Sequence, residues 1–350
     1  MSRSLDRLLR RETGAAAQGR SMLPQYLLVA TLAMALPVAI LLSIQLWMVT
    51  AYTHAMDLQS FMAQYDHGVF RYRLLGRDLL VDLYYLLRSH VADRPYPLPR
   101  DPSGSFLLYG AFAISNGIYF AISNALLLSL LWVKKKGLLD RELSLYFYYT
   151  LLVAMSMAVV TPYDQLAYLL LLVGVLGVRA KSAGVGMVLI AVSAVAGTLN
   201  RETEFLLASL LATIAILSPK PVARRYWMYL VVDLILSIGV YVGVRLVIHG
   251  EVQVIQSMTF GGKWALESLI VVVLLLAAGV VMALRLYNHV LPVFVFLVLS
   301  LPYLLAVFIG GVFRELRLMV PVLLCLLCIY LFLGRASEDL LRSDAGLAPE

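Results

Sequence analysis

Residues 106–133 read FLLYGAFAISNGIYFAISNALLLSLLWV, a run of 28 residues without a charged side chain. A helix that crosses the hydrocarbon core of a bilayer needs about 20 consecutive, mostly apolar residues. This run exceeds that length and is far longer than the roughly 4–8 residues of a buried strand. It therefore predicts a transmembrane helix, and the rest of the chain repeats the same character.

Ten segments of the 350-residue chain are apolar in this way. They are residues 23–50, 106–133, 143–160, 165–178, 184–199, 204–219, 226–247, 266–284, 290–309 and 318–334. Hydrophobic residues make up 61% of the sequence and charged residues 14%, against about half and about a quarter in soluble domains. This composition excludes a soluble globular protein and a long disordered chain. It predicts an all-α polytopic membrane protein of about ten spans, of which the three short ones between 165 and 219 are expected to include broken or re-entrant helices.

The basic residues predict the orientation. With a cytoplasmic N-terminus and alternating spans, 17 of the 28 lysines and arginines fall on the cytoplasmic side, as the positive-inside rule requires. Residues 1–22 are then a cytoplasmic tail, residues 23–335 the transmembrane domain and residues 336–350 a second cytoplasmic tail. The first apolar run is too long for a signal peptide and is expected to be a retained span. We expect a multi-pass protein of the inner or plasma membrane, whose net charge of +7 follows from this bias and does not indicate nucleic acid.

The longest connection, residues 51–105, lies on the outer side in this topology. Within it, residues 72–90 place leucines on one helical arc and charged side chains on the opposite arc. That pattern is typical of a helix lying in the membrane interface.

The densest polar run of the chain is YDHGVFRYR at residues 65–73. It contains Asp66, Arg71 and Arg73. An acid followed closely by two arginines is either a salt-bridged turn or a catalytic acid beside phosphate ligands.

A second outer turn, TPYDQ at 161–165, suits the start of a helix, with Thr161 as N-cap and proline at the first helical position. That structural interpretation accounts for every residue of the turn. Tyr163 and Asp164 are nevertheless candidate supporting residues of a site on the outer face.

A third outer turn, NRETE at 200–204, also suits a helix start, capped by Asn200. Arg201 is unfavourable at the positive end of a helix dipole unless something anionic faces it. Pairing with Glu202 or Glu204 is the structural explanation, and binding of a phosphate is the functional one.

The last outer turn carries Arg314, Glu315 and Arg317 beside the final span. Snorkelling of the arginines to the membrane surface is the structural interpretation. Anchoring of a lipid phosphate is the functional one, because arginine suits phosphate geometry.

Several polar side chains lie inside predicted spans. Asp233 is expensive in hydrocarbon and is a functional candidate by default. Asn116 and Asn124, in a repeated FAISN pentapeptide, are expected to hydrogen-bond between spans, and the small residues of 182–198 to allow close helix packing. Cys325 and Cys328 are interpreted as packing residues.

This arrangement resembles membrane glycosyltransferases of the GT-C fold, which use lipid-linked sugar donors. The resemblance covers most of residues 23–334 in architecture. Its closest local match is DHGVFRYRLL at 66–75, which is similar to a stretch of the aminoarabinose and protein mannosyl transferase group. Where that stretch often has two adjacent acids, this chain has Asp66 and His67.

The resemblance implies that Asp66 is the catalytic base and that Arg71 and Arg73 lie near donor phosphates. Asp57, closer to the first span, is the reserve candidate for the acid. Charge on the outer face supports the same chemistry, because phosphates of a lipid donor favour arginines and sugar transfer needs a carboxylate. The donor-binding candidates are Arg71, Arg73, Arg201, Arg314 and Arg317, with Tyr163, Asp164, Glu202, His249 and Glu315 in support.

The function predicted from the sequence is transfer of a sugar from a polyprenyl-phosphate donor to a glycan, lipid or protein acceptor on the outer face. A polymerase or ligase of lipid-linked glycans, using a base such as His249, is one alternative. A transporter or assembly subunit without enzymatic activity is the other. No D-x-D triplet exists, so we expect no cofactor and no tightly held metal, with a weakly bound divalent cation left open.

Overall fold

The computed structural model describes residues 57–65, 69–95, 104–131, 145–150, 152–153, 161–248, 291–310 and 316–329, with a few single residues elsewhere. The predicted tails at 1–22 and 336–350 lie outside these ranges. So do the predicted span at 266–284 and nearly all of the one at 23–50.

All regular secondary structure in the described residues is helical. The α-helices are α1 (Leu58–Ala63), α2 (Leu74–Arg88), α3 (Phe106–Leu131), α4 (Asp164–Arg179), α5 (Ala183–Asn200), α6 (Phe205–Leu217), α7 (Lys220–Val247), α8 (Leu291–Leu299), α9 (Leu301–Gly310) and α10 (Val320–Ile329). Short 3-10 turns occupy Val69–Tyr72, Glu202–Glu204 and Leu316–Leu318. The all-α prediction is confirmed for these residues.

Three of these helices are long and apolar enough to cross a membrane, namely α3, α5 and the part of α7 from Val222 onward. They support the prediction of a membrane protein, whereas ten spans and a GT-C fold stay predictions. Helices α4 and α6, of 16 and 13 residues, are shorter than a full span, as their segments suggested.

The segment predicted as one span at 290–309 is divided into α8 and α9 at Ser300. Pro302 follows the break. A proline has no N–H to continue the helical ladder, and its ring clashes with the preceding turn, which accounts for the interruption.

Small residues bring α4 and α5 close together. A side-chain carbon added at Gly174 would lie 2.8 Å from the hydroxyl oxygen of Ser193, and one added at Gly177 would lie 2.9 Å from the carbonyl oxygen of Gly186. The close packing predicted for 182–198 is therefore confirmed.

Cys325 and Cys328 of α10 are fully buried thiols that form no disulfide, and they lie among apolar side chains. Their predicted role in packing is confirmed.

Helix α2 falls inside the predicted interfacial segment 72–90. It buries Leu80 and Tyr84 in a small apolar cluster with α1 and the first turns of α3. Leu79 and Leu86 remain exposed on another side of the helix, as a helix at a lipid surface requires. The helix is confirmed, and its orientation in the bilayer stays a prediction.

Asp93 fixes the end of α2 to the start of α3. Its carboxylate accepts hydrogen bonds from the Ser105 hydroxyl at 2.6 Å and from the Leu107 amide at 3.1 Å. Ser105 in turn accepts a bond from the Leu108 amide at 3.0 Å, which satisfies a free donor of the first helical turn. This specific polar contact therefore joins the residues that follow α2 to the start of α3.

The polar turns predicted on the outer side meet at one end of the helix bundle. The start of α4, the end of α5 and the turn before α10 contact one another there. At the opposite end, Arg179 donates to the carbonyl of Leu130 at 2.7 Å and Arg225 donates to the carbonyl of Ala180. This up-and-down arrangement positions the candidate site.

Candidate functional site

Three arginines from distant parts of the chain converge at the polar end of the bundle. Arg73 precedes α2, Arg201 follows α5 and Arg317 precedes α10. We call Arg73, Arg201 and Arg317 the arginine cluster. Arg201 and Arg317 are almost completely buried, and Arg73 is mostly buried.

Asp164, the first residue of α4, holds two members of the cluster. One carboxylate oxygen pairs with Arg201, and the other accepts a bond from Nη1 of Arg317 at 3.0 Å. The Thr161 hydroxyl donates to the second oxygen at 2.6 Å. Because both oxygens of Asp164 are engaged, this carboxylate orients arginines and is poorly suited to act as a base.

Tyr163 forms an aromatic surface under the cluster. The guanidinium carbon of Arg73 lies 4.6 Å from the centre of its ring, and that of Arg201 lies 5.5 Å away. The ring of Phe70 stacks beside Tyr163 with centroids 6.2 Å apart. Cations are attracted to ring faces at these distances, so Tyr163 helps to keep two like charges near each other.

Glu202 pairs with Arg73 and not with its sequence neighbour Arg201. Its Oε2 lies 3.3 Å from Nη2 of Arg73. Burial alone would raise the pKa of Glu202, but Arg73 and then Arg201 outweigh it and hold that pKa below its ordinary value. The structural explanation offered for Arg201, a pair with Glu202 or Glu204, is therefore wrong, because its partner is Asp164.

Two predicted helix starts are corrected. Helix α4 begins at Asp164, with Tyr163 in the cap position, although Thr161 still accepts a long bond of 3.4 Å from the Asp164 amide. Asn200 is not an N-cap. It is the last residue of α5, and its amide donates to the carbonyl of Tyr163 at 2.8 Å, which ties the turn 200–204 to the start of α4.

Helix α2 packs at Gly76 against the contact between Asn200 and the residues before α4, and we call this meeting point the joint. A side-chain carbon added there would lie 2.7 Å from Oδ1 of Asn200 and 2.7 Å from the carbonyl oxygen of Pro162. Only glycine permits such a contact without displacement. The position of Arg73, one turn earlier, is therefore fixed against the same backbone that carries Tyr163.

Like charges are concentrated in the cluster. Among the described residues, three guanidinium groups lie beside the carboxylates of Asp164 and Glu202. Burial, and then the neighbouring Arg73, lower the pKa of Arg201 to about 10, which still leaves it charged at neutral pH. Burying like charges together costs free energy, and bound anions reduce that cost.

The described residues also give places to the other predicted members. Asp57 caps α1, accepting bonds from the amide and the hydroxyl of Ser60 at 2.9 and 2.6 Å, and the Ser60 hydroxyl lowers its pKa. Arg71 is half-buried. Asp66, His249, Arg314 and Glu315 lie outside the described residues. The catalytic roles of Asp57 and Asp66 stay predictions.

Sequence reasoning missed Arg245, near the end of α7. Its guanidinium carbon lies 4.4 Å from the ring centre of Tyr72 and 3.6 Å from that of Tyr241. It also acts electrostatically on Glu202. The only signal in the sequence was a cation at the outer end of a predicted span. Such a cation is also typical of a residue that snorkels to the membrane surface, so it did not indicate a site.

Asn124 makes the expected contact between helical segments, whereas Asn116 bonds the loop before α4 instead. The Asn116 amide donates to the carbonyl of Thr161 at 3.2 Å, and Asn124 accepts a bond from Thr150 at 2.8 Å. The first bond supports the loop that carries Tyr163. Among the described residues, no group of three or more histidines, cysteines or acids is placed to hold a metal ion.

Comparisons with protein-family models, with curated proteins and with solved structures found no match to this chain.

Proposed function

We propose that the protein transfers a sugar from a polyprenyl-phosphate-linked donor to a glycan, lipid or protein acceptor, with the arginine cluster holding the donor phosphate. The observation that supports this most is the convergence of three arginines, two of them almost completely buried, at the polar end of the bundle. Guanidinium groups bind phosphate oxygens through paired, charge-assisted bonds.

The site suits a ligand whose charged part lies at a membrane surface. Helix α2, which follows Arg73, has exposed leucines, and Arg201 follows the apolar helix α5. A polyprenyl phosphate has the complementary form, an apolar chain attached to a phosphate. A soluble nucleotide donor would not need the apolar surroundings.

In the proposed reaction, Asp66 takes the proton of the acceptor hydroxyl while that oxygen attacks the anomeric carbon. The bond from that carbon to the phosphate oxygen breaks, and the polyprenyl phosphate leaves with the bonding electrons. The arginine cluster stabilises the charge that develops on the leaving phosphate. Asp164 and Tyr163 contribute by keeping the guanidinium groups in place.

Binding is the first experiment. Full-length protein in lipid nanodiscs is titrated with a short-chain prenyl phosphate and with the matching prenyl alcohol. We expect the alcohol to bind at least about tenfold more weakly, since a charge-assisted bond contributes about 1.5–3 kcal/mol. Arg201→Gln should weaken phosphate binding by about 10- to 100-fold. Arg88→Gln, on the exposed end of α2, is the matched control and should change nothing.

Transfer is the second experiment. A panel of radiolabelled polyprenyl-phosphate sugars is offered to the wild type and to Asp66→Asn, which keeps the shape of the side chain and removes its charge. Loss of a general base lowers turnover by about two to four orders of magnitude. Equal binding of phosphate and alcohol, or full activity in Asp66→Asn and in Asp57→Asn, contradicts the proposal.

A transporter of anionic lipids is the second candidate, because two further observations favour it. Asp233 is fully buried midway along α7, and the segment of α8 and α9 is broken at Ser300. Acids inside membranes and interrupted helices are features of transport pathways. Movement of a labelled prenyl phosphate across vesicles without sugar transfer distinguishes this function. For a polymerase or ligase, the expected base His249 is tested by His249→Ala.

A further inference from the structure

Behind the arginine cluster, the same turn sends a second acid into the bundle. Glu204 closes the 3-10 turn Glu202–Glu204 and precedes α6. Its side chain is 2% exposed and packs against Gly197 of α5, where even a methyl group would collide with the carboxyl. No described basic residue forms an ion pair with it.

The two contacts of the Ser193 hydroxyl indicate whether Glu204 carries a proton. Its oxygen lies 2.8 Å from the carbonyl of Leu170 and 2.6 Å from Oε1 of Glu204. A hydroxyl has one proton to donate, and a carbonyl oxygen can only accept. If Ser193 donates to Leu170, the shorter contact needs a proton from Glu204. An un-ionised acid is also what a buried carboxyl without a cation requires.

A second carboxyl faces this region from α7. Asp233 is fully buried, acts electrostatically on Glu204, and neither of its oxygens has a hydrogen-bond partner among the described residues. Ser237, one turn later on the same side of α7, is also fully buried, and its hydroxyl has no hydrogen-bond partner in the part of the chain that the structure describes. Helix α7 therefore presents polar atoms to the interior of the bundle, and the carboxyl among them acts on Glu204.

The remaining neighbours do not supply a compensating charge. From α10, the thiol of Cys325 is the titratable group within electrostatic reach of Glu204. From α4 and α5 the polar contacts are the carbonyl of Leu170 and the hydroxyl of Ser193. Within the described residues, the charge of these carboxyls is therefore neutralised most simply by protons.

We propose that Glu204 and Asp233 form a proton-binding site inside the helix bundle, in which Glu204 donates its proton to Ser193. The site goes beyond the proposed sugar transfer and does not depend on it. It shares the turn 201–204 with the arginine cluster. Loss of the protons from both acids would leave two buried like charges and push that turn outward, so proton occupancy and phosphate binding are linked.

The test is infrared spectroscopy of the full-length protein in lipid vesicles, titrated with pH. At pH 7, ordinary acids with pKa values of about 4 are ionised. We expect the carbonyl-stretching band of an un-ionised carboxyl to persist at that pH. Glu204→Gln should remove part of the band, and Asp82→Asn, on the exposed face of α2, should leave it unchanged.

Asp233→Asn supplies an independent measurement. Removing the neighbouring acid should shift the titration of the remaining band by about one pH unit or more toward acid. The wild-type spectrum and this shift decide the question even if Glu204→Gln does not fold. Absence of the band at pH 7, insensitivity of the band to both variants, or its appearance only when sodium is removed would overturn the proposal, the last outcome indicating a sodium site.

Discussion

Gly76→Ala is the most direct perturbation of the joint between α2 and the arginine cluster. The added carbon would lie 2.7 Å from the carbonyl oxygen of Pro162, where ordinary contact begins at 3.4 Å. Pro162 contributes backbone to this contact, and the Asn200 side chain is held by its bond to Tyr163. Neither partner gives way easily, so α2 must withdraw by about 0.7 Å, the difference between those distances.

Two free-energy terms oppose each other in this variant. Replacing glycine inside a helix contributes about 0.5–1 kcal/mol of stability, while overpacking costs about 1–3 kcal/mol. The net expectation is a loss of about 1–2 kcal/mol. Arg73 lies one turn before Gly76, so the withdrawal also moves its guanidinium away from Glu202. A displacement near 1 Å at a site lowers activity by about 100-fold.

Gly110→Ala is the matched control. Gly110 is also a helical glycine, in α3, and an added carbon there meets nothing within 4 Å. It should leave the protein as stable as the wild type or more so, with phosphate binding unchanged. The free energy of unfolding is measured in mixed detergent micelles, and prenyl phosphate binding in nanodiscs.

The stability and phosphate affinity of the two alanine variants together test whether α2 packs on the start of α4. If Gly76→Ala and Gly110→Ala have the same stability and the same phosphate affinity, α2 does not pack on the start of α4 as described. If stability falls and affinity does not, the joint is correct and Arg73 is not part of the binding site.

Three further predictions concern single carboxylates. Asp164→Asn removes the negative charge between two buried arginines and should cost about 3–5 kcal/mol of unfolding free energy, whereas exposed Asp82→Asn should stay within about 0.5 kcal/mol; equal effects would mean that the buried pairs do not form. Asp93→Ala should destabilise the loop by about 1 kcal/mol through the lost contacts at the start of α3, seen as faster proteolysis of residues 89–105, and unchanged cleavage would contradict this. The pKa of Glu202 is lowered in the folded state, so its pair with Arg73 stabilises the protein above about pH 4.5 and loses that contribution as the pH falls further. The stability difference between wild type and Glu202→Gln should therefore vanish in acid, and a difference that grows in acid would refute the pairing.

The all-α fold could be predicted from the sequence because it depends on local patterns. These are the length of each apolar run and the separation of apolar from charged residues around a helix. The helix at 74–88 and the contact of Asn124 were predictable for that reason. The break at Ser300 was less so, because Pro302 alone does not separate a kinked span from two helices. The number of spans was not fixed by these patterns either.

The members of the arginine cluster were individually visible in the sequence, but their pairing was not. Arg201 stands beside Glu202 in the chain, yet it binds Asp164, and Arg73 takes Glu202 instead. Ion-pair partners are set by where helices end in space, and the separation in sequence between Arg73 and Glu202 carries no such information. For the same reason Glu204 was considered only as a partner of Arg201, although its side chain is buried in the interior.

The turn from Arg201 to Glu204 directs a buried cation to the polar end of the bundle and a buried acid to its interior. A structural joint between helices does not need this, because well-packed apolar residues in place of a buried ion cluster are often equally stable or more stable. The arginine cluster thus costs stability that a phosphate would return on binding. The acid on the other side of the turn avoids the corresponding cost by holding a proton. Together they make the turn sensitive to an anion on one side and to protons on the other, and this is why residues 200–204 are the first place to look for coupling between binding and pH.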